Sequence, residues 1–218
     1  LDAIAYLDNL RGKNKDFFSL SFPTIAGTGP NGAIVHYRAS KKSNRRIKKT
    51  DLFLVDSGAQ YLDGTTDVTR TIAFKNVTKD QKEMYTRVLK GHIAVAKSKS
   101  SSREKGKNLD KLARKYLKQV NKNFDHGTGH GVGSFLNVHE GPQAISPNGS
   151  VNFKHGMIVS NEPGYYKKNN YGIRIENLIL AKVANNILKF ETITFAPLEK
   201  QLIDHNLLSK EEIKWIDN

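Results

Sequence analysis

No cysteine occurs among the 218 residues, so neither a disulfide nor a thiolate metal site can form. Any bound metal would have to be held by oxygen and imidazole. There is no run of about 18 apolar residues, the length a membrane-crossing helix needs. The opening Leu1-Asp-Ala-Ile-Ala-Tyr-Leu7 is too short and too polar for the apolar region of a secretory leader. It also lacks an initiator Met and begins inside a helical pattern, so the chain is expected to be the C-terminal part of a longer protein. No linker or low-complexity tract divides it, which predicts one domain over residues 1–218. Acids are scarce relative to bases: 21 Asp and Glu against 35 Lys and Arg give a formal charge of +14. Such a charge raises the question of nucleic acid. The bases, however, are scattered, and the densest cluster, Arg38 to Lys49, has no interleaved aromatics on which bases could stack. A solvated basic surface with no nucleic-acid partner is the simpler expectation.

The pattern predicts a helix over residues 1–18 and a Gly-rich loop from Pro23 feeding a strand at Ala33–Tyr37. Asp51–Asp56 and Thr66–Phe74 read as strands. Thr78-Lys-Asp-Gln81 fits a capping box opening an amphipathic helix to about Ser98. Asn108 is a candidate cap for a helix to about Asn121. Gly156–Asn161 and Tyr171–Ala181 are expected strands, and Ser209 starts a terminal helix. One echo stands out. Leu52-Phe-Leu-Val-Asp56 reaches Asp67 across a turn-rich segment, and Met157-Ile-Val-Ser-Asn-Glu162 reaches Glu176 across another, at separations of 11 and 14 residues. Each half is an apolar strand, a carboxylate, an excursion, and a second carboxylate on the return. Two related α/β halves meeting at one central site would produce this shape.

A lone Asp at a strand end is usually a turn residue, and Asp56, followed by Ser57-Gly58, would fit that. Glu176 is different. It lies in Ile173-Arg-Ile-Glu-Asn-Leu-Ile-Leu180, where alternation puts Arg174, Glu176 and Leu178 on one face. An acid on so apolar a strand must be paired, with Arg174 the nearby candidate, or metal-bound. Asp67, Thr69 and Thr71 share a face of the other hairpin. Four acids brought together would repel and raise one another's pKa, and two divalent cations would cancel the four charges. With His130 as a nitrogen ligand, the oxygen-rich set favours Mn, Co or Zn. Such a set fits a two-metal hydrolase that activates a bridging water as hydroxide.

The stretch Asp125-His-Gly-Thr-Gly-His-Gly-Val-Gly133 places His126 and His130 four apart, but its glycines forbid a stable helix, so it is no zincin helix. A tight loop presenting His130, an anion-binding nest and an ordinary loop all remain open on these residues alone. His36 and His139 are candidates for proton transfer near neutral pH. Gly27-Thr-Gly-Pro-Asn-Gly32 matches the dinucleotide pattern letter for letter, but a strand is expected after it, where phosphate binding needs a helix. Asn76-Val-Thr78 and Asn148-Gly-Ser150 match the glycosylation pattern with no other sign of secretion.

Several segments together resemble aminopeptidase P, the Xaa-Pro aminopeptidases of the pita-bread metallopeptidase family. They are Phe22-Pro-Thr-Ile25, Thr28-Gly-Pro-Asn-Gly-Ala-Ile-Val-His-Tyr37, Asp56-Ser-Gly-Ala-Gln-Tyr61 and Asp63-Gly-Thr-Thr-Asp-Val-Thr-Arg-Thr71. His126 to Pro142, Glu162-Pro-Gly-Tyr-Tyr166 and Gly172-Ile-Arg-Ile-Glu-Asn177 complete the set. The resemblance covers nearly the whole chain and is closest to the cytosolic, three-domain members. It implies an α+β pita-bread fold, with pseudo-two-fold α/β halves around a curved antiparallel sheet. It implies removal of the N-terminal residue from peptides with proline second, in the cytoplasm, off the membrane, with a homodimer conceivable for the full-length protein. Asp56 would chelate one metal, Asp67 and Glu176 would bridge two, and His130 and Glu162 would complete the site, with Mn²⁺ as the expected metal and Zn²⁺ or Co²⁺ as the alternatives. Glu162 would also take the proton of the bridging water. His36 and His139 would contact the scissile carbonyl, His126 would shape the proline pocket, and Arg174 would orient the ligands from behind. Asn161 departs from the pattern, standing where an acid is expected, a change that would tune the basicity of Glu162. Two other readings stand beside this one: a prolidase-like dipeptidase, and a metal-free pita-bread binding module. The intact ligand set weighs against the latter.

Overall fold

A computed structural model of the chain describes residues 1–217. Helix α1 (Asp2–Gly12) is followed by strands β1 (Phe17–Leu20) and β2 (Ile25–Thr28), then a 3-10 turn over Gly29–Ala33. Next come β3 (Leu52–Ser57), β4 (Ala59–Tyr61), β5 (Gly64–Thr65) and β6 (Val68–Ala73). Helices α2 (Lys79–Ala96) and α3 (Gly106–Lys118) flank the short β7 (Lys99–Ser101). The rest is mostly sheet: β8 (Gly129–His130), β9 (Ala144–Ile145), β10 (Ile158–Asn161), β11 (Gly164–Lys167), β12 (Tyr171–Arg174), β13 (Asn177–Ala184) and β14 (Ile187–Thr192). Helix α4 (Lys210–Asp217) follows.

Two antiparallel sheets, β2-β3-β6 and β10-β13-β14-β7, carry the two halves. The β3–β6 ladder ends at Ser57 opposite Val68, and Asp67 is the next residue out. The β10–β13 ladder ends at Asn161 opposite Asn177, and Glu162 and Glu176 are the next residues out. The echo in the sequence is thus partly matched in the fold: Asp67, Glu162 and Glu176 stand just where a strand pair opens, while Asp56 lies one residue inside its ladder, opposite Thr69. The halves are stitched together at that point, with Glu176 N–H donating to Thr69 O at 3.1 Å and Thr71 Oγ1 to Arg174 O at 3.2 Å.

Helix α2 lies beneath both halves. Its Tyr85, Leu89 and Ile93 pack with Ile173 and Ile175 in one core cluster, and its Val95 joins Leu109, Ile145, Val159 and Ile179 in a second. Its start is the expected capping box: Thr78 Oγ1 accepts from Gln81 N–H, and Gln81 Oε1 accepts from Thr78 N–H. Ser209 likewise exchanges hydrogen bonds with Glu212 at the start of α4.

Four local expectations are corrected. The first helix stops at Gly12, because Phe17–Leu20 pairs with β4. Asn108 does not cap α3, which begins two residues earlier; its side chain bonds Glu104. Ala33–Tyr37 is a turn held by Ile34 N–H to Asn31 O and Tyr37 N–H to Ile34 O, so His36 is presented by a turn and not a strand. Tyr171–Ala181 is two strands, since Tyr171–Arg174 pairs with β11 while Asn177–Ala184 pairs with β10, leaving Ile175-Glu176 at the break. The glycines of Gly27–Gly32 serve backbone packing: a Cβ on Gly27 would lie 2.7 Å from the Asn31 carbonyl carbon.

Candidate metal centre

A cavity of about 340 Å³ opens between the two halves. All nine residues singled out in the sequence line it: Asp56, Asp67, His130, Glu162 and Glu176, with His36, His126, His139 and Arg174. Phe22, Ile25 and Val35 supply an apolar wall.

Asp56, Asp67 and Glu176 are almost entirely withdrawn from water, Glu176 being 1% exposed and Asp67 5%, while Glu162 is partly buried. Asp56 Oδ2 pairs with Arg174 Nη2 at 2.8 Å, and Glu176 Oε2 accepts from Thr69 Oγ1 at 2.7 Å. Arg174 is therefore not the partner of Glu176, the pairing that adjacency in sequence suggested. Ser160 Oγ donates to Glu162 Oε1 at 3.0 Å. One oxygen on each of Asp56, Asp67 and Glu176 is buried with no hydrogen-bond partner. Three such oxygens in one cavity carry a large desolvation cost unless a cation meets them. Burial raises the pKa of Asp67 well above the carboxylate range, reinforced by Asp56 and Glu162. Burial does the same to Glu176, helped by Asp67, Glu162 and Asp56. Glu162 is raised by burial, with His130 and Arg174 holding it back.

His130 fixes what the acids surround. Its Nδ1 lies 3.0 Å from Gly131 O, which places the ring proton there and leaves the Nε2 lone pair facing inward. That Nε2 is 3.4 Å from Asp67 Oδ2 and 3.3 Å from Glu162 Oε1. At these distances acceptor faces acceptor, an arrangement relieved by a proton on one of the acids or by a cation bound between them. Ligand atoms of Asp67, His130 and Glu176 all lie within 4.8 Å of one another, a group able to hold a metal ion. The loop that carries His130 needs its glycines, since a Cβ on Gly129 would sit 1.8 Å from Ser160 O. Among the open readings of that segment, the histidine-presenting loop is the one realised.

The remaining polar residues form a brace. Burial works against the Arg174 guanidinium, but Tyr166, Asp56 and Glu162 outweigh it and keep it charged. Its Nη1 donates to Tyr166 Oη at 2.7 Å, and Tyr166 Oη lies 2.8 Å from His126 Nε2. His126 Nδ1 faces Gly127 O at 2.7 Å, so the ring is neutral and accepts from the tyrosine. Burial lowers its pKa to about 4 and pushes that of Tyr166 up to about 12. His139 stands edge-on to His130, ring centroids 4.2 Å apart, and its pKa is lowered by burial and by His130 and His36. Ser160 and Tyr166 were not singled out in the sequence, although both lie in segments that were. Asn161 is fully buried and donates from Nδ2 to His92 O at 2.9 Å.

Acid oxygens lacking donors, an inward-facing imidazole and a cationic brace together make a candidate metal centre. Residues 1–182 match metallopeptidase family M24, and residues 186–218 match the C-terminal region of peptidase M24. The chain belongs to that family, and its α+β architecture is the family's pita-bread fold. It is 48% identical to Xaa-Pro aminopeptidase 1 of Dictyostelium discoideum, over 97% of this chain and 35% of that protein. It is 44% identical to aminopeptidase P2 of Arabidopsis thaliana, over 100% of this chain and 32% of that protein. An X-prolyl aminopeptidase structure from Caenorhabditis elegans, described as a cytosolic enzyme with a di-nuclear active site, superposes with a TM-score of 0.94. Identity there is 41%, over 98% of this chain and 36% of that one. Prolidase from Pyrococcus furiosus superposes with a TM-score of 0.78 at 31% identity, over 89% of this chain and 56% of that one. The chain spans about a third of the length of the curated relatives it matches.

Proposed function

We propose that residues 1–218 form the catalytic domain of a cytoplasmic metallo-aminopeptidase that removes the N-terminal residue from peptides with proline in second position. The observation that carries this is the set of buried, donorless carboxylate oxygens around the inward lone pair of His130, beside an apolar wall. Two divalent ions fit that donor set. Asp56, Asp67, His130, Glu162 and Glu176 would hold them, and the oxygen-rich ligands suit Mn²⁺, with Zn²⁺ or Co²⁺ as the alternatives. Bound there, such ions would supply Lewis acidity, lowering the pKa of a water and polarising the scissile carbonyl.

The chain's own residues do the rest. Glu162, with its carboxylate anchored by Ser160 and its pKa raised, is placed to accept a proton from water at the cavity floor. His139 and His36 line the cavity where the carbonyl and the leaving nitrogen would lie, and His139 with its lowered pKa is suited to passing that proton on. Arg174 fixes Asp56, and through Tyr166 fixes the His126 ring. A peptide bond to proline has no N–H to grip. Phe22, Ile25 and Val35 offer a surface for the ring in its place, and the floor carboxylates attract the α-amine.

The test is hydrolysis of Arg-Pro-Pro and Arg-Ala-Ala by the full-length protein, stripped of metal and then resupplied with Mn²⁺. Metal-dependent release of Arg from the proline peptide alone is expected. Glu162→Gln should lower that rate by about 10²-fold or more while the circular dichroism is unchanged. Equal cleavage of both peptides, or cleavage without metal, would overturn the reading. Cleavage of Arg-Pro but not Arg-Pro-Pro would replace it with a dipeptidase.

A further inference from the structure

Helix α3 turns an ion pair inward. Asp110 and Arg114 are 3% and 5% exposed, and Arg114 Nε donates to Asp110 Oδ2 at 2.8 Å. Replacing a buried ion pair by apolar residues is often neutral or stabilising, so stability alone is a poor reason for keeping one. The pair's other bonds leave the helix. Arg114 Nη1 donates to Asn123 Oδ1 at 2.9 Å and to Phe124 O, and Nη2 donates to His126 O at 2.7 Å. The second oxygen of Asp110, Oδ1, accepts from Thr128 Oγ1 at 2.7 Å. Both charges are thus directed at one loop, residues 123–128, which joins α3 to β8.

That loop carries His126, which lines the same cavity as the apolar Phe22, Ile25 and Val35. The Arg114 guanidinium lies 3.9 Å from the centre of the Phe124 ring, and the Phe124 ring lies 4.9 Å from that of His126. The imidazole is therefore backed by Phe124 and Arg114 in layers, tied at its own carbonyl by Arg114, and met at Nε2 by Tyr166 Oη. A guanidinium fork can serve several acceptors in one plane, a geometry that an ammonium cannot copy. His130, four residues on, is held by other means: its N–H donates to Ser160 Oγ at 2.9 Å, and β8 pairs with β9. Thr128 O accepts from Glu162 N–H at 2.7 Å, but the Glu162 carboxylate takes its own hydrogen bond from Ser160. The two histidines of one segment thus have separate anchors.

We propose that the Asp110–Arg114 pair is a positioning device for His126, setting how well the cavity receives the proline ring and not how well it holds metal. The proposal rests on the exopeptidase reading of the site. The experiment sets wild type beside Arg114→Lys, Thr128→Val and Thr128→Ser, each as Mn²⁺-loaded full-length protein. Arg-Pro-Pro is the substrate, and its product Pro-Pro is the competitive inhibitor. Lysine keeps a charge opposite Asp110 and loses the fork, whereas valine removes only the hydroxyl that reaches Asp110. Arg114→Lys should raise KM for Arg-Pro-Pro and Ki for Pro-Pro together by about tenfold, and Thr128→Val by about threefold. Metal per chain and kcat should stay within about twofold of wild type, and Thr128→Ser, which keeps the hydroxyl, should match wild type throughout. Unchanged KM and Ki in Arg114→Lys and Thr128→Val, whatever their urea midpoints, would make the pair a stabilising one only and overturn the assignment. Metal lost in step with activity overturns it as well, moving the role of the pair to the metal centre. Should Arg114→Lys fail to fold, Thr128→Val decides on the same criteria. Wild type that leaves Arg-Pro-Pro intact overturns the exopeptidase reading and the assignment with it.

Discussion

Asp67 concentrates the electrostatic conflict of the cavity. Its side chain is nearly closed off from water and faces Asp56 and Glu162, with one oxygen lacking any donor. Replacing it by Asn keeps the shape and removes one repelling charge, together with one candidate ligand. Two measurements should therefore move in opposite directions. Metal bound per chain, measured after dialysis, should fall, while the metal-free protein should be as stable as wild type or more so. Unchanged metal stoichiometry would remove Asp67 from the ligand set. The four acids and His130 were legible because they sit in unusual local contexts, at strand ends and among glycines, whereas the roles of His36, His126, His139 and Arg174 rested on the family resemblance. The pairings were not legible. Arg174 is two residues from Glu176 yet bonds Asp56, which is 118 positions away, and no local pattern encodes that choice. The donors Ser160 and Thr69 were hidden for the same reason: a hydroxyl declares its role only when its acceptor arrives from another segment.

Among the elements, α2 and α3 meet at Gly91, where a Cβ would lie 2.1 Å from the Ala113 carbonyl oxygen. Helix propensity favours alanine over glycine by about 1 kcal/mol. Contact with backbone that cannot rotate away costs more, typically about 1–3 kcal/mol and occasionally beyond. The steric term should win, so Gly91→Ala is expected to be destabilised by roughly 1–2 kcal/mol in urea unfolding; a stabilised variant would show that the helices separate freely. The same contrast explains which elements could be read from the chain. The start of α2 is written in two residues, Thr78 and Gln81, and formed as expected. The division of the strand at Ile175-Glu176 is not, because alternation runs straight through Ile173 and Ile175. The break arises from a change of pairing partner, from β11 to β10. Likewise a Gly-rich segment before Tyr37 reads as leading into a strand, whereas close packing of Gly27 on Asn31 turns it back.

At the scale of the whole molecule, the two halves rest on a buried histidine that the proposed chemistry does not use. His92 of α2 is wholly buried, its two ring nitrogens make no hydrogen bond of ordinary geometry, and its ring meets that of Trp215 from α4 at 5.9 Å. It lies against the backbone of Asn161 and Ile175, the residues preceding Glu162 and Glu176. Burial lowers its pKa to about 3. In the unfolded chain it would titrate near 6.5. The folded state therefore binds fewer protons than the unfolded state between these values, so stability falls as pH drops through 6.5 and the loss is complete only below about 3. Between pH 7 and 4.5 this amounts to roughly 2–3 kcal/mol. His126, lowered to about 4, works in the same direction, whereas the raised carboxylates Asp67, Glu162 and Glu176 work against it. The net pH profile of the protein thus mixes opposing contributions, and only a difference isolates one of them. His92→Phe removes the titrating group and leaves the others in place. Urea unfolding of metal-free protein at pH 7 and pH 4.5 should show the variant losing roughly 2–3 kcal/mol less than wild type over that interval, whatever its stability at pH 7. Identical losses would mean that His92 takes up its proton in the folded state, and that the ground beneath the metal centre is wetter than its packing indicates.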